Sequence, residues 1–264
     1  MIKISGSPIN SNDVLNQYPQ NSIERKIISI LSSSSSTYNY KSLKELKFEL
    51  NLRVNIINAS RELNGTNFAF AVFRKSRCNP DYWERTDEGG FLLKKGVKPS
   101  HAIKDIYINA SKYATECATA MVIVYYKALL NIFPEELFND LFSEIYLMDW
   151  QHIDRDLGNI GYMEKEEDYL PGDRRYFKNP AVDPVHPEWQ GENAIDLGDG
   201  TYYGHGIGIK TAEKIIDILN KLRKNDAQIS AYLMDLAGRP DFKYLADKFY
   251  SFSSRLLKRN YKIT

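Results

Sequence analysis

The chain has 264 residues, of which 43% are hydrophobic and 26% are charged, and its formal net charge is +1. This composition is typical of a globular protein that is long enough to bury one large core, and we expect a single domain. The near-neutral charge argues against nucleic acid as the main partner, since nucleic-acid-binding proteins usually carry a strongly basic face.

The first third of the chain is predicted to combine one long helix with short strands. A polar opening contains a serine run, 32–36, that is typical of a loop. Ser42 and Glu45 form a capping box, so a helix is predicted to begin at Ser42, and Gly65 supplies its stop. A helix-rich segment is expected from Ser100 onwards. Between these helices, alternating apolar residues predict strands at 68–73, 82–85 and 91–94, the last two as a hairpin.

One of the two cysteines, Cys117, lies just before the apolar stretch 121–130. The pattern predicts one buried helix with Cys117 in its first turn. Unpaired backbone N–H groups at a helix N-terminus favour a thiolate, so the pKa of Cys117 is expected to fall from about 8.5 towards neutrality. This suits a nucleophile, although free cysteine is often only a small buried hydrophobe. The apolar run 118–130 is shorter than the roughly 20 residues of a membrane span, so no span is predicted.

The second half of the chain is predicted to mix strands and helices. A short helix (134–142) and a strand (145–148) precede a long polar loop, 149–172, whose length is more often functional than idle. From position 211 the chain is predicted to be helical, including the stretch 232–236. The order of elements predicts an α+β fold with a mostly antiparallel sheet covered by the Cys117 helix. The strands expected before the final helices are 176–177, 193–197 and 201–203.

Two residues are candidates for the base that a cysteine nucleophile needs. His205 lies between two glycines just after a predicted strand and is the best placed of the four histidines. Glu192, at the entrance of a predicted buried strand, is the strongest acidic candidate. Taken alone, each has a plainer interpretation, a structural histidine or a surface glutamate.

The second cysteine, Cys78, lies in a segment of turn composition and is predicted to be a surface loop thiol. Two cysteines far apart in the chain require no disulfide framework. The N-terminus lacks the apolar core of a secretory signal. Together these features predict a reducing, intracellular compartment.

Four segments, in their order and spacing, resemble the spore-coat protein-glutamine γ-glutamyltransferases, the small transglutaminases of endospore-forming bacteria. The resemblance spans roughly 38–236, and the serine run and the basic tail beyond Ala237 look outside the family pattern. The four segments are 113–120, 172–180, 189–193 and 204–208.

The resemblance implies a papain-related, NlpC-type α+β fold, here a single catalytic domain, 1–264, with 239–264 as a basic helical C-terminal extension. It also implies the chemistry of acyl transfer. The thiol attacks a protein glutamine, ammonia leaves, and a lysine amine converts the thioester into an isopeptide cross-link. The family's nucleophile corresponds to Cys117 and its acidic partner to Glu192. Glu116 is a stand-in for that partner, while His205 and Asn193 are candidate auxiliary residues.

A carboxylate is a weak base for a thiol, because unperturbed Cys and Glu differ by about 4 pKa units, or roughly 5 to 6 kcal/mol. Burial raises the pKa of a glutamate and narrows the gap. We therefore expect Glu192 to be enclosed, with Trp189 and other aromatic residues as its walls. Trp150 and Trp189 are expected to line a substrate cleft that excludes water, which would otherwise hydrolyse the thioester.

Neither a metal nor a cofactor is expected. The run 154–158 lacks the spacing of a calcium loop, and no His/Cys set has zinc spacing. The implied partners are proteins with exposed glutamine and lysine, namely spore coat proteins. The implied location is the forming spore coat.

Three alternatives stay open at this point. A cysteine peptidase or amidase would use the same thiol and end with water. A DNA-binding module is suggested by 204–216, which resembles a helix-hairpin-helix, although a strand and not a helix is predicted before its glycines. A non-catalytic structural protein of the spore coat is the third.

Overall fold

Helices enclose a mainly antiparallel sheet in the computed structural model, which describes residues 1–158 and 160–260. The helices are α1 (Ser11–Leu15), α2 (Ile23–Ser33), α3 (Leu43–Asn64), α4 (Pro99–Ile108), α5 (Cys117–Leu130), α6 (Glu135–Leu141), α7 (Ala212–Asn220) and α8 (Phe242–Asn260). Short 3-10 turns lie at Phe73–Lys75, Ala110–Lys112, Arg155–Leu157 and Pro187–Trp189.

The strands are β1 (Ile2–Ile4), β2 (Ser7–Pro8), β3 (Tyr38–Tyr40), β4 (Ala69–Phe70), β5 (Trp83–Arg85), β6 (Phe91–Leu93), β7 (Ala114–Thr115), β8 (Tyr146–Leu147), β9 (Arg174–Lys178), β10 (Gly191–Asp196), β11 (Thr201–Gly204), β12 (Gly208–Thr211) and β13 (Tyr232–Leu233). The largest sheet has the order β12-β11-β10-β9-β13 and is antiparallel throughout. Smaller sheets have the orders β2-β1-β3, β4-β7 and β5-β6-β8. The predicted α+β class is confirmed.

Helix α3 begins as its capping box predicts. The Ser42 hydroxyl accepts the N–H of Glu45 at 3.3 Å, and Gly65 ends the helix. The Glu45 carboxylate accepts the N–H of Lys41 at 2.6 Å, one residue before the position that a capping box normally satisfies. The helix packs on α5 and on α8.

Helix α5 is apolar on all sides, and nearly all of it is buried, as expected for a helix at the centre of a core. It begins at Cys117, which confirms the predicted place of this thiol at a helix N-terminus. The helix packs against β10. This packing brings the predicted strand that carries Glu192 to the end of α5 where the thiol lies.

A buried ion-pair network ties the start of β9 to α3. Arg53 contacts Glu49 and Asp173, each at 2.8 Å, and Arg239 contacts Asp173 at 2.7 Å. Because breaking a buried pair leaves an uncompensated charge, such a network holds its elements in one arrangement. The polypeptide that leads into α8 is therefore anchored at Arg239.

Most of the predicted extension, 239–264, forms α8, and positions 261–264 lie outside the described residues. Phe249 of α8 packs on Phe48 of α3 with ring centroids 5.7 Å apart, and Phe252 is buried. The helical part of the extension thus belongs to the packed body. Its status as a separate extension stays a prediction.

Three predicted elements are wrong. The stretch 232–236 was expected to be helical, but Tyr232–Leu233 forms β13, because this segment pairs with the open edge of β9. The strand expected at 68–73 is reduced to β4, since a 3-10 turn begins at Phe73. The polar opening holds ordered elements, and Ser32 and Ser33 end α2. A second hydrophobic cluster explains this order, and it includes Ile2, Val14, Ile27, Ile28 and Leu31.

No helix within the described residues combines the length and the apolar character that a bilayer crossing needs.

Candidate active site

A cavity of about 740 Å³ opens at the N-terminal end of α5. It is bounded by the predicted long loop 149–172, by β9 and β10, and by the turn that precedes β10. Its lining includes Phe70, Glu116, Cys117, Trp150, Arg174 and Asn193.

Cys117 is held by its neighbour on β10. The side-chain amide of Asn193 lies 3.6 Å from Sγ and donates to it. Burial raises the pKa of the Cys117 thiol well above its ordinary value, and the charges of Glu192 and then Glu116 raise it further. Hydrogen bonds from Asn193 act in the opposite direction. The expected fall in the pKa of Cys117 is therefore wrong, and the resting group is a neutral thiol.

Glu116 explains why the helix N-terminus does not acidify the thiol. Its carboxylate accepts the N–H groups of Ala118 at 2.5 Å and Thr119 at 2.6 Å, as the N-cap of α5. An anion thus already occupies the positive end of the helix. Burial raises the pKa of Glu116, whereas these hydrogen bonds lower it. The geometry makes Glu116 a cap, and both of its oxygens are engaged.

Glu192 is only 1% exposed, as the enclosure argument predicted. It pairs with Phe177 on β9, and its carboxylate lies against Gly204 on β11, where a Cβ would come within 2.7 Å of Oε1. Oε1 has no hydrogen-bond partner among the residues that the structure describes. Burial raises the pKa of Glu192 well above its usual range, and the charge of Glu116 adds to this. Its carboxyl group therefore binds a proton more tightly than an ordinary glutamate does.

Glu192 and Asn193 are successive residues of β10, so their side chains leave the strand on opposite faces. The Asn193 amide makes the hydrogen bond to Sγ, whereas the Glu192 carboxylate acts on the thiol through its charge. Both predicted partners are thus near Cys117.

His205 is engaged elsewhere. It is buried, its Nδ1 lies 3.2 Å from the Tyr203 hydroxyl, and its Nε2 lies 3.1 Å from the Ala69 carbonyl oxygen. The ring stacks on Phe68 with centroids 4.6 Å apart. Burial lowers the pKa of His205 to about 4. These contacts hold a neutral imidazole in place between β11 and β4.

Of the two tryptophans expected to line the cleft, Trp150 is in the cavity wall and Trp189 lies behind a residue of that wall. Trp150 lines it directly, and the Arg174 guanidinium carbon lies 4.2 Å from its ring centroid. Trp189 stacks on Phe70, with ring centroids 5.1 Å apart, and Phe70 forms part of the cavity wall. The Glu192 carboxylate lies against Gly204. At this point the wall around Glu192 is therefore a glycine and not the aromatic residue that was expected.

Two lining residues escaped the sequence analysis. Arg174 is only 2% exposed. Arginine is seldom buried, so nothing in the sequence indicated that this side chain lies inside the protein. Asp149 has φ of 52°, in the left-handed region that Asp tolerates better than most residues, and its N–H donates to the Thr119 hydroxyl at 2.9 Å. The only available hint was its place at the start of the long loop.

The second thiol is not a surface group. Cys78 is half-buried and packs against the main core, with Sγ 3.9 Å from the Trp83 carbonyl oxygen. Burial raises the pKa of Cys78 to about 11. The turn composition of 76–80 predicted the backbone correctly but not the side chain, which points inward.

A model of the family described as protein-glutamine gamma-glutamyltransferase matches residues 1–250. The chain belongs to this family. It is a transglutaminase, and the match is wider than the span 38–236 of the sequence resemblance. The serine run and the start of the tail therefore lie within the family pattern, which corrects the expectation that they fall outside it.

Individual transglutaminases are similar to this chain over most of its length. It is 47% identical, over 234 residues, to protein-glutamine gamma-glutamyltransferases from Bacillus mycoides (strain KBAB4) and from Bacillus cereus (strain 03BB102), covering 88% of this chain and 84% of each relative. A transglutaminase structure from Geobacillus stearothermophilus, without its C-terminal extension, superposes with a TM-score of 0.75 at 49% identity. It covers 79% of this chain and 98% of that one.

Among the described residues, no three His, Cys, Asp or Glu side chains come together as a metal site. That the transglutaminase works without calcium stays a prediction.

His205→Gln is expected to change amine transfer by less than about 3-fold, because the imidazole acts in packing and not at the thiol. The variant should also remove a pH dependence of stability. With a pKa of about 4 in the folded protein and 6.5 in the unfolded chain, His205 makes the wild type lose stability as the pH falls between these values. The full loss is roughly 3 kcal/mol. Urea unfolding at pH 7 and pH 4.5 measures it, and an equal loss in the variant would refute this assignment.

Proposed function

We propose that this chain forms ε-(γ-glutamyl)lysine cross-links between protein side chains through a thioester on Cys117, in the assembly of a spore coat. The observation that carries the proposal is a neutral thiol, Cys117, in the wall of a cavity, together with a buried carboxyl group of raised pKa, Glu192, on the strand β10 that packs against its helix, in a chain of the transglutaminase family. Its arrangement, a thiol at the start of a buried helix on an antiparallel sheet, supports a papain-related fold of the NlpC type.

In the first half of the reaction, Glu192 accepts the proton of the Cys117 thiol as Sγ attacks the γ-carboxamide carbon of a glutamine. The proton then goes to the amide nitrogen, the C–N bond breaks, and ammonia leaves a γ-glutamyl thioester. The raised pKa of Glu192 makes its carboxylate a stronger base for the first of these transfers. Asn193 donates to Sγ and stabilises negative charge on the sulfur.

In the second half, a lysine side chain enters as an ammonium, which the acidic end of the cavity attracts. Glu192 takes a proton from this group, and the amine attacks the thioester carbon. The C–S bond breaks, the sulfur regains a proton, and an isopeptide bond remains. The aromatic walls of the cavity, including Trp150, exclude the water that would turn cross-linking into deamidation.

The test is incorporation of a fluorescent primary amine into a glutamine-bearing protein in the presence of a chelator, with ammonia release measured in parallel. We expect one ammonia for each amine incorporated by the wild type and by Cys78→Ala, and neither product with Cys117→Ala. Ammonia release without incorporation, or peptide cleavage, would favour a cysteine amidase or peptidase. Loss of incorporation in chelator would contradict metal independence.

The spore coat role rests on the sequence resemblance to the enzymes of endospore formers. We propose that the substrates are coat proteins with exposed glutamine and lysine, and that the enzyme works inside the sporulating cell at the forming coat. Fractionation of sporulating cells followed by immunodetection tests this. Enzyme that stays in the mother-cell supernatant throughout sporulation would overturn it.

A further inference from the structure

We propose that Arg174 is a positioning residue for the reaction, which fixes the amide of Asn193 so that its NH₂ group donates to the sulfur of Cys117. The inference rests on the proposed function, because it takes Cys117 as the nucleophile. It concerns a residue to which the sequence analysis gave no role.

A chain of two hydrogen bonds links the three residues. Arg174 Nη1 donates to Asn193 Oδ1 at 2.7 Å, and Asn193 Nδ2 donates to Cys117 Sγ at 3.6 Å. All three side chains line the same cavity. The amide group of Asn193 therefore links the guanidinium to the sulfur by hydrogen bonds.

The chemistry of the guanidinium decides which way this amide points. Arginine has only donors, so it must face the amide oxygen of Asn193, and the NH₂ group is left to face the sulfur. If the amide were flipped, its NH₂ group would face the N–H donors of Arg174, and its oxygen would face the sulfur of Cys117. Both hydrogen bonds would then be lost. A thiolate is a better acceptor than a thiol, so the fixed orientation favours the ionised nucleophile.

Arg174 is itself held firmly. Its Nη2 donates to the carbonyl oxygens of Ile160 at 2.9 Å, Gly161 at 3.2 Å and Tyr162 at 3.2 Å. Its flat face lies on the ring of Trp150. The guanidinium thus clamps the long loop 149–172 to β10.

The charge of Arg174 acts in the same direction as its geometry. Carboxylates near the thiol oppose its ionisation, whereas a buried cation one amide group away favours it. The titratable groups that face Cys117 or Arg174 from the neighbouring elements are Glu116, Tyr125, Asp149, Tyr176 and Glu192.

The experiment measures the rate of Cys117 alkylation by iodoacetamide against pH in a Cys78→Ala background, together with kcat and KM for amine incorporation. Arg174→Gln should move the midpoint of the alkylation profile upward by about one pH unit. It should lower kcat by roughly 10- to 100-fold with KM within about 3-fold. Arg174→Lys keeps the positive charge but loses the planar guanidinium group, and should move the alkylation midpoint by less.

The matched control is Arg175→Gln. Arg175 is the next residue of β9 and is also buried, but it donates to the carbonyl oxygens of Met234 and Leu236 and lies on the ring of Tyr169. It should destabilise the protein without moving the alkylation midpoint. An equal shift in both variants, or no shift in Arg174→Gln, would overturn the proposal.

A double-mutant cycle separates positioning from support of the fold and stays informative if Arg174→Gln folds poorly. In an Asn193→Ala background, Arg174→Lys should cause no further fall in kcat, because the amide through which Arg174 acts is gone. Additive losses would show that Arg174 acts independently of Asn193 and would refute the inference. The alkylation profile needs no acceptor protein, so it separates this failure from a failure of the proposed function.

Discussion

Replacing Cys117 by alanine is expected to reduce amine incorporation by at least about 10⁴-fold, to the background of the assay, since no covalent intermediate can form. Cys117→Ser should be almost as inactive. Its hydroxyl is far less acidic than a thiol, and the Glu192 carboxylate is too weak a base to ionise it. Fluorescent amine incorporation measures both variants.

The thiol-directed control is Cys78→Ala, which removes the second cysteine and should keep amine transfer within about 2-fold of the wild type, because Cys78 packs against the core away from the cavity. Thermal unfolding should show that Cys117→Ala is folded. If Cys117→Ala retained transfer while Cys78→Ala lost it, the nucleophile would have been wrongly placed.

Glu192→Gln is expected to lower transfer by about 10²- to 10⁴-fold at pH 7, the range that a lost general base commonly costs. The amide is close in shape to the carboxylate but cannot accept the thiol proton. Because the charge of Glu192 raises the pKa of Cys117, the variant should also make the thiol more acidic. The remaining activity should therefore rise with pH as thiolate forms without help. The pH profile of amine incorporation measures this.

The same variant should be more stable than the wild type at neutral pH. The pKa of Glu192 is raised in the folded protein above its ordinary value of 4.5, so the unfolded chain loses its proton first and wild-type stability falls as the pH rises beyond that value. Glutamine has no proton to lose, so thermal unfolding above this pH should show a higher Tm in the variant. A gain in stability with a loss of activity is hard to explain by misfolding.

Glu188→Gln is the control for loss of a negative charge at the cavity, since Glu188 lines the cavity, is only half-buried and lies 3.6 Å from His186. It should change transfer by less than about 3-fold. If Glu192→Ala kept full activity while His205→Ala abolished it, the carboxylate assignment would be wrong.

Secondary structure was predicted most accurately where capping residues and the pattern of apolar residues indicate the same element. The capping box at Ser42 and the apolar run after Cys117 specify α3 and α5 with little help from the rest of the chain, and both begin at or within one residue of the expected position. The strand pair at 82–85 and 91–94 followed from alternation in the same way. The family resemblance then placed Glu192 and Asn193 beside the thiol.

The errors came from tertiary context. The stretch 232–236 holds apolar residues at helical spacing, yet Tyr232 and Leu233 pair with the free edge of β9, which no local pattern reveals. The pKa of Cys117 was expected to fall because the helix N-terminus was considered alone. Burial of the thiol, and then the charges of Glu192 and Glu116, raise the pKa instead, and all three effects depend on the fold.

Both cysteines of the chain are stored as neutral thiols, and this has a consequence for chemical durability. Peroxide and disulfide reagents react with the thiolate, so a protonated sulfur ages slowly in air. In the proposed mechanism Cys117 becomes reactive only while Glu192 holds its proton, and burial keeps the pKa of Cys78 raised to about 11. We therefore expect the purified protein to keep its thiols in air without an added reductant.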